Sequence, residues 1–199
     1  MTDDQCEALA HMEAMLKVRL AEKPRRFTHS QAVAACATSL AETYGVDTFQ
    51  AAAAGILHDW DKALSDTELL ARAAQYGVEV VGSPAAAVGL LHGPVAAREL
   101  PQIFPGIDPA ILQAVARHTV GACDMTPLDM VVFVADAIEP NRHGAYADEL
   151  RAQVGMLSLE ELFFRCFAGG LAYVISSGRY LYPTAVTIYN TYAARCGRE

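Results

Sequence analysis

Apolar residues recur every three or four positions along most of this chain, which is the spacing of amphipathic helices. The first such segment covers residues 4–21, with Leu9 and Leu16 on its apolar face, and Pro24 is expected to stop it. The short β-branched run 78–81 is too weak to predict a strand. Cap residues and prolines bound further helical segments, over residues 30–44, 47–58, 65–76, 95–100, 108–119, 128–138, 146–153, 158–176 and 183–192. The pattern predicts an all-α fold, an orthogonal helical bundle.

Composition narrows the class of function. A chain of 199 residues suits a single domain, and its 53% hydrophobic and 19% charged residues are ordinary for a globular protein. The net charge of −8 argues against sequence-independent binding of nucleic acid, which requires a basic surface. A phosphorylated small molecule remains compatible with this charge, because a local group of metal, lysine and arginine can override the net field.

The cysteines and the termini bear on the cellular compartment. The five cysteines are odd in number and contain no CxxC pair, so neither a disulfide framework nor a zinc ribbon is indicated. Reduced thiols fit a cytosolic protein. The first residues lack the features of a signal peptide, and the apolar stretch 162–177 is too short and interrupted to cross a membrane. We therefore expect a cytoplasmic protein without a membrane partner.

Imidazole and carboxylate side chains interrupt several of the apolar segments. The strongest case is the pair His58-Asp59, which follows the apolar run 51–57 and is poorly suited to a dry core. Four of the six histidines and two aspartates occur in such settings, namely His29, His58, His92, His118, Asp59 and Asp136. Four nitrogen and two oxygen ligands suit one transition-metal ion and are enough for two.

Each of these residues also has an ordinary structural explanation. His118 shares a helix face with Val115, and a histidine on an apolar face is more often a hydrogen-bonded core residue than a ligand. His92 is compatible with a turn, and His29 stands just before a predicted helix, where it would act as a cap. Asp136 falls inside a helical pattern, where a buried carboxylate is costly without a partner. The metal hypothesis therefore rests on the six residues together.

Two cations flank the candidate ligands. Lys62 lies four residues after His58 and three after Asp59, so a helix would place it on their side. An ammonium beside a metal site indicates an anionic substrate between the two, although a solvated surface lysine is the alternative. Arg142 is a second candidate, because a guanidinium binds phosphate in bidentate fashion.

The arrangement His29…His58-Asp59…Asp136 resembles the signature of the HD-domain metal-dependent phosphohydrolases. A finer match is to the HD-domain symmetrical diadenosine tetraphosphate hydrolases of bacteria, and it covers residues from about 25 to 165. The matching motifs are Leu57-His58-Asp59-x-x-Lys62, Leu90-Leu91-His92-Gly93, His118-Thr119-x-Gly121 and Ala135-Asp136-x-Ile138-Glu139-Pro140-x-Arg142. The resemblance implies a single HD domain over residues 1–199, with its core at about 25–165, an N-terminal helix and a C-terminal helical extension.

The resemblance also implies a chemistry. The family uses two divalent or mixed-valence metal ions, commonly iron, to activate a water that cleaves diadenosine tetraphosphate (Ap4A) into two ADP. The substrate would be a small nucleotide, with no nucleic acid and no membrane involved, and a homodimer is an option. The implied metal ligands are His29, His58, Asp59, His92, His118 and Asp136.

The remaining motif residues receive other roles. Asp59 and Lys62 would be the catalytic residues. The residues implied to contact the substrate, or to support the ligands from behind, are Lys62, Thr119, Glu139 and Arg142. The family more often has Tyr-Ala where this chain has Trp60-Asp61, and pairing of Asp61 with Lys62 would alter the contact of that lysine with phosphate. His11 and His143 lie outside the ligand motifs and are predicted not to bind metal.

Two alternatives remain open at this point. Another HD phosphohydrolase would act on mononucleotides or cyclic dinucleotides, although His92 and His118 favour two metals over one. A non-catalytic nucleotide-binding protein is the second alternative, and the complete set of ligand positions argues against it. A Walker A motif and a GxGxxG motif are both missing from the sequence, so NTP-driven and dinucleotide-redox chemistry are not indicated.

Overall fold

The computed structural model describes residues 1–197, and all regular structure within that range is helical. The predicted all-α fold is therefore confirmed. Two 3₁₀ turns, Trp60–Ala63 and Val88–Leu90, interrupt the succession of helices. The α-helices are α1 (Asp3–Arg19), α2 (Pro24–Tyr44), α3 (Thr48–Leu57), α4 (Asp66–Gln75), α5 (Pro84–Ala87), α6 (His92–Ile103), α7 (Pro109–Arg117), α8 (Pro127–Ile138), α9 (Ala145–Gln153), α10 (Leu159–Ser176) and α11 (Ala185–Cys196).

Two helices, α2 and α6, are longer than predicted, and each includes at least one proline that the prediction placed outside it. Helix α2 begins at Pro24, six residues before the predicted start, because a proline at the first helical position loses no hydrogen bond. His29 consequently lies inside α2 and not before it. Helix α6 begins at His92, so this histidine opens a helix instead of standing in a turn, and the helix continues past Pro101.

The centre of the bundle is formed by α2, α3, α7 and α8, while α10 packs on α8 and α11 packs on α10. Helix α3 is a run of small residues, and Ala51, Ala53 and Ala54 are fully buried. At Gly55 the backbones of α2 and α3 approach so closely that a Cβ atom would lie 2.6 Å from the Cα atom of Ala34. Small side chains therefore set the separation of these two helices. His58 is the residue that directly follows the last residue of α3.

The C-terminal helices are held against this centre by aromatic packing. Tyr192 of α11 is fully buried, and its ring lies edge-on to Phe163 of α10 at a centroid distance of 4.8 Å. The hydroxyl oxygen of Tyr192 accepts a hydrogen bond from the backbone N–H of Met125, at 2.9 Å.

No helix within residues 1–197 combines the length and the apolar character needed to cross a bilayer.

We expect Gly55→Ala to lower the free energy of unfolding by about 1–3 kcal/mol, the usual range for overpacking. The obstructing atoms belong to the backbone of Ala34 and cannot swing away, so the gain in helix propensity does not compensate. Urea unfolding measures the effect. Gly89→Ala is the matched control, because a Cβ atom there meets nothing within 4 Å. Equal stability of the two variants would contradict the close approach of α2 and α3.

Candidate metal centre

The six predicted ligands come together at one buried place, where several helices end. His58 follows α3 and His118 follows α7, while His92 is the first residue of α6. Asp136 lies in the last turn of α8. His29 reaches the same place from α2, and Asp59 directly follows His58. The side chains of His58, Asp59, His92 and His118 are almost completely buried.

Three of the imidazoles are oriented by the same local hydrogen bond. The Nδ1 atoms of His58, His92 and His118 lie 2.7–2.8 Å from the backbone carbonyl oxygen three residues earlier. A carbonyl only accepts, so Nδ1 must carry the proton in each ring, and the lone pair of each Nε2 atom points to the centre of the cluster. This arrangement fixes both the tautomer and the direction of the candidate ligand atoms.

A glycine, Gly93, allows α6 and α7 to come close. A Cβ atom at Gly93 would lie 2.6 Å from the carbonyl oxygen of Val115 and 3.0 Å from Cε1 of His118. Only a residue without a side chain therefore lets α6 lie against the end of α7. The closeness brings Nε2 of His92 to within 2.9 Å of Nε2 of His118.

Asp59 lies between the histidines and presents its two oxygens to different rings. Its Oδ1 atom is 3.2 Å from Nε2 of His92 and 3.9 Å from Nε2 of His118, whereas its Oδ2 atom is 3.7 Å from Nε2 of His58. Three overlapping sets of ligand atoms could each hold a metal ion: His29, His58 and Asp59; His58, His118 and Asp136; and Asp59, His92 and His118. Asp59 belongs to two of these sets, which suits a bridging ligand.

His29 and Asp136 form the more open edge of the cluster. Nε2 of His29 is 2.9 Å from Oδ1 of Asp136, and Nδ1 of His29 is 3.1 Å from Oε1 of Glu139. Glu139 is almost fully buried and also accepts a hydrogen bond from the backbone N–H of Asn141. Glu139 thus lies behind His29, in a position to orient this imidazole.

The pKa shifts of His118 and Asp59 suit metal binding. The pKa of His29 is instead raised, because burial, which would lower it, is outweighed by the contact of this ring with Asp136. Burial lowers the pKa of His118 to about 3, and the neighbouring His92 and His58 act in the same direction. Burial alone would raise the pKa of Asp59, but the surrounding imidazoles, His58 first, hold it well below its usual range. A charged carboxylate and neutral imidazoles are the forms that coordinate metal ions.

The unmatched acceptors test whether a metal fits. Nε2 of His58 is buried and has no hydrogen-bond partner, and its Nδ1 atom is already used by the carbonyl of Gly55. The Nε2 atoms of His92 and His118 face each other as two acceptors at 2.9 Å, and the nearest donor is the hydroxyl of Thr119, at His118. Buried acceptors without a donor cost free energy, and a cation placed among them removes this cost. The donor set therefore fits a metal ion.

Sequence reasoning missed one cation. Arg26 lies one helical turn before His29 on α2, and its Nη1 atom is 3.1 Å from Oδ2 of Asp59. The sequence feature that could have revealed Arg26 is its position three residues before His29. Two residues at this spacing share a helix face only if the helix already includes Arg26. The wrong start of α2 concealed this relation.

Asp61, whose pairing with Lys62 the sequence left open, pairs with a different cation. Asp61 is fully buried and forms an ion pair with Arg19 of α1, at 2.7 Å. The same guanidinium lies 5.6 Å from the ring centroid of Trp60 and 3.5 Å from Oε2 of Glu99. The short 3₁₀ turn Trp60–Ala63 directs Asp61 away from Lys62 and into this network, which leaves Lys62 without a carboxylate from its own turn.

Lys62 itself is half-buried near the cluster. Burial lowers its pKa, and the charge of Asp59 opposes that effect. Its Nζ atom is 3.4 Å from the carbonyl oxygen of Gly89, a long contact for an ammonium. A partly desolvated ammonium with only this weak contact is suited to receive an anion.

Thr119 and Arg142 line a cavity of about 750 Å³ beside His118 and Asp136. The hydroxyl of Thr119 lies 3.1 Å from Nε2 of His118. The guanidinium of Arg142 donates to Oδ1 of Asp136 at 2.7 Å and to the backbone carbonyl oxygen of the same residue at 2.9 Å. Arg142 therefore lines the cavity and is hydrogen-bonded to the candidate ligand Asp136.

The two remaining histidines stand apart from the candidate ligand sets. The ring of His11 lies edge-on to Phe104 at a centroid distance of 5.9 Å, and His11 belongs to none of the three ligand sets that the described residues form. His143 lines the 750 Å³ cavity but belongs to none of the three ligand sets found in residues 1–197.

Comparison with known proteins identifies the family. The model of the HD domain matches residues 26–141, which contain all six candidate ligands. The chain belongs to the HD-domain family. Two similar proteins are named symmetrical bis(5'-nucleosyl)-tetraphosphatases. The one from Staphylococcus aureus is 30% identical over 89% of this chain and 91% of the relative, and the one from Bacillus subtilis is 31% identical over 89% and 95%.

A solved structure agrees with the fold of this HD domain. It is the crystal structure of a predicted HD superfamily hydrolase involved in NAD metabolism from Clostridium acetobutylicum, which superposes with a TM-score of 0.82 at 28% identity. The match covers 94% of this chain and 97% of the other. The family resemblance inferred from the motifs is thus confirmed, and the similarity extends beyond the residues of the HD-domain match.

Asp59→Ala should remove most of the bound metal, because Asp59 is shared by two of the three ligand sets. Metal content per chain after anaerobic purification, measured by mass spectrometry, checks this. His11→Ala is the control and should retain the wild-type content. Full metal occupancy in Asp59→Ala would rule out the shared position of this carboxylate, and metal loss in His11→Ala would mean that the ligand set is wrongly assigned.

Proposed function

We propose that this HD domain holds two divalent or mixed-valence metal ions, most simply iron, and hydrolyses Ap4A symmetrically to two ADP. The observation that carries the proposal is the buried acceptor cluster around the unpartnered Nε2 atom of His58. Relatives of matching length named symmetrical bis(5'-nucleosyl)-tetraphosphatases support the substrate. The proposed extent is one HD domain over residues 1–199, with its core at about 25–165.

The roles proposed for the ligands follow the overlapping sets. His92 and His118 would hold one ion together with Asp59, and His58 would hold the second ion, also together with Asp59. His29 and Asp136 would complete the second ion on its open side. Glu139 would keep His29 in the required tautomer by accepting its Nδ1–H.

When bound, such metal ions lower the pKa of a coordinated water and polarise phosphoryl oxygens. The chain's own contribution is to bind and orient the tetraphosphate. Lys62, Arg26 and Arg142 surround the cluster with three positive charges, which suit the oxygens of a polyphosphate. Hydrolysis adds water across the central phosphoanhydride bond, so each ADP keeps two phosphates and no covalent protein intermediate is required.

The proposal includes a compartment and an oligomeric option. The five cysteines are all free, which supports a reducing cytoplasm. A homodimer is compatible with the exposed apolar side chains of α10 and α11, among them Ile175 and Val186. The partner required by the proposed chemistry is a small nucleotide, not nucleic acid or a membrane.

Product analysis of the metal-loaded protein tests the proposal directly. We expect Ap4A to give two ADP per molecule, measured by chromatography, with little release of phosphate from mononucleotides or cyclic dinucleotides. Release of AMP and ATP would contradict symmetrical cleavage. Turnover of mononucleotides without turnover of Ap4A would favour the other HD phosphohydrolase activity, and binding without turnover would favour a non-catalytic nucleotide-binding protein.

Arg142→Lys should lower kcat/KM for Ap4A by about 1–3 kcal/mol of transition-state stabilisation, the range for a charge-assisted hydrogen bond. Lysine keeps the charge but cannot hold Asp136 through two donors while it also faces the cavity. Metal content should remain at the wild-type level. Arg195→Lys, on an exposed face of α11, serves as the control. Wild-type kinetics of Arg142→Lys would remove this residue from the site.

A further inference from the structure

The 750 Å³ cavity beside the metal centre has an aromatic lining that the proposed phosphate chemistry does not use. Its volume lies within the range of pockets for small ligands. The lining includes His118 and Asp136 of the candidate metal cluster and also Tyr173 and Arg179, from the end of α10 and the turn after it. A ligand that fills the cavity would therefore reach from the metal cluster to these two side chains.

The position of Arg179 is fixed by the backbone. Gly178 adopts a left-handed conformation, with φ of +64°, directly after α10. Its N–H donates to the carbonyl oxygen of Ile175, and the N–H of Arg179 donates to that of Val174, both at 3.1 Å. This pair of bonds is a Schellman motif, which ends a helix and turns the chain back on it. The turn thereby returns Arg179 to the helix face that carries Tyr173.

Tyr173 and Arg179 form a cation–π pair at the cavity. The guanidinium carbon of Arg179 lies 5.2 Å from the centroid of the Tyr173 ring, and Tyr173 is 56% exposed. Within residues 1–197, Arg179 has no carboxylate partner, in contrast to Arg142, which is bound to Asp136. An uncompensated guanidinium and an exposed ring at a cavity are suited to a flat aromatic group that belongs to an anionic molecule.

We propose that this cavity is a nucleoside subsite, in which Tyr173 and Arg179 hold the base of one half of a dinucleoside polyphosphate. The inference rests on the proposed function and adds the place where the base is bound. A nucleobase is a flat ring that stacks on aromatic side chains and guanidinium planes, and the phosphates attached to it would extend toward Arg142 and the metal cluster. Recognition through a ring face accepts any base, so the subsite would secure the nucleoside without selecting adenine.

Binding of two probes to the metal-loaded protein tests the subsite apart from catalysis. ADP carries a base and pyrophosphate does not, and titration calorimetry measures the Kd of each. Tyr173→Ala should raise the Kd of ADP about tenfold or more, the usual effect of losing one stacking side chain, and leave that of pyrophosphate unchanged. Tyr173→Phe, which keeps the ring, should bind ADP like the wild type.

Arg179→Ala should also weaken the binding of ADP more than the binding of pyrophosphate. Arg195→Ala is the matched control, because it removes a guanidinium that lies 5.3 Å from the ring of Tyr192, outside the cavity lining, and it should bind both probes like the wild type. Unchanged ADP binding in Tyr173→Ala, equal losses for both probes, or no ADP binding to the wild type would overturn the subsite. If ADP binding depends on Tyr173 but Ap4A is not cleaved, the proposed function fails and the subsite stands.

Discussion

The structure depends on the cost of burying hydrogen-bond acceptors that face one another. Three imidazoles use their Nδ1–H groups on backbone carbonyls, so their Nε2 lone pairs and the Asp59 carboxylate converge in one place. The only donors that reach these acceptors among residues 1–197 are Arg26, at Asp59, and the Thr119 hydroxyl, at His118, and Nε2 of His58 has none. Helices α3, α7 and α8 also end at this place, and helix C-termini carry partial negative charge. Every contribution favours a cation, and the close packing of α2 on α3 and of α6 on α7 serves to hold the acceptors together.

This constraint explains why so much of the site could be predicted from the sequence. A histidine or aspartate in an apolar run must have a partner, and all six residues found by that criterion lie in the cluster. Most helices were also predictable, since capping residues such as Asp47, Ser65 and Thr126 act locally and are observed as caps. Local patterns therefore identified both the elements and the residues that interrupt them.

The contacts that could not be predicted join distant parts of the chain. Nothing near Asp61 in the sequence indicates that its partner is Arg19, because the pairing depends on how α1 crosses the 3₁₀ turn. The approach of Arg26 to Asp59 was hidden by a local ambiguity, since a proline can either stop a helix or open one. The place of Arg179 at the cavity likewise follows from the turn after α10, which needs a left-handed glycine at residue 178, and the sequence of that turn does not show what Arg179 faces.

The ion pair of Arg19 with Asp61 bears on where the functional unit of this protein begins. The family match starts at residue 26, yet Asp61 lies two positions after Asp59 and is compensated from helix α1, outside that match. A protein shortened to the matched segment would retain every candidate ligand but leave the buried side chain of Asp61 without the guanidinium of Arg19. A buried charge that loses its partner costs about 3–5 kcal/mol, a large fraction of the stability of a domain. The boundary by which sequences of this family are recognised is therefore not the boundary at which this chain can be cut.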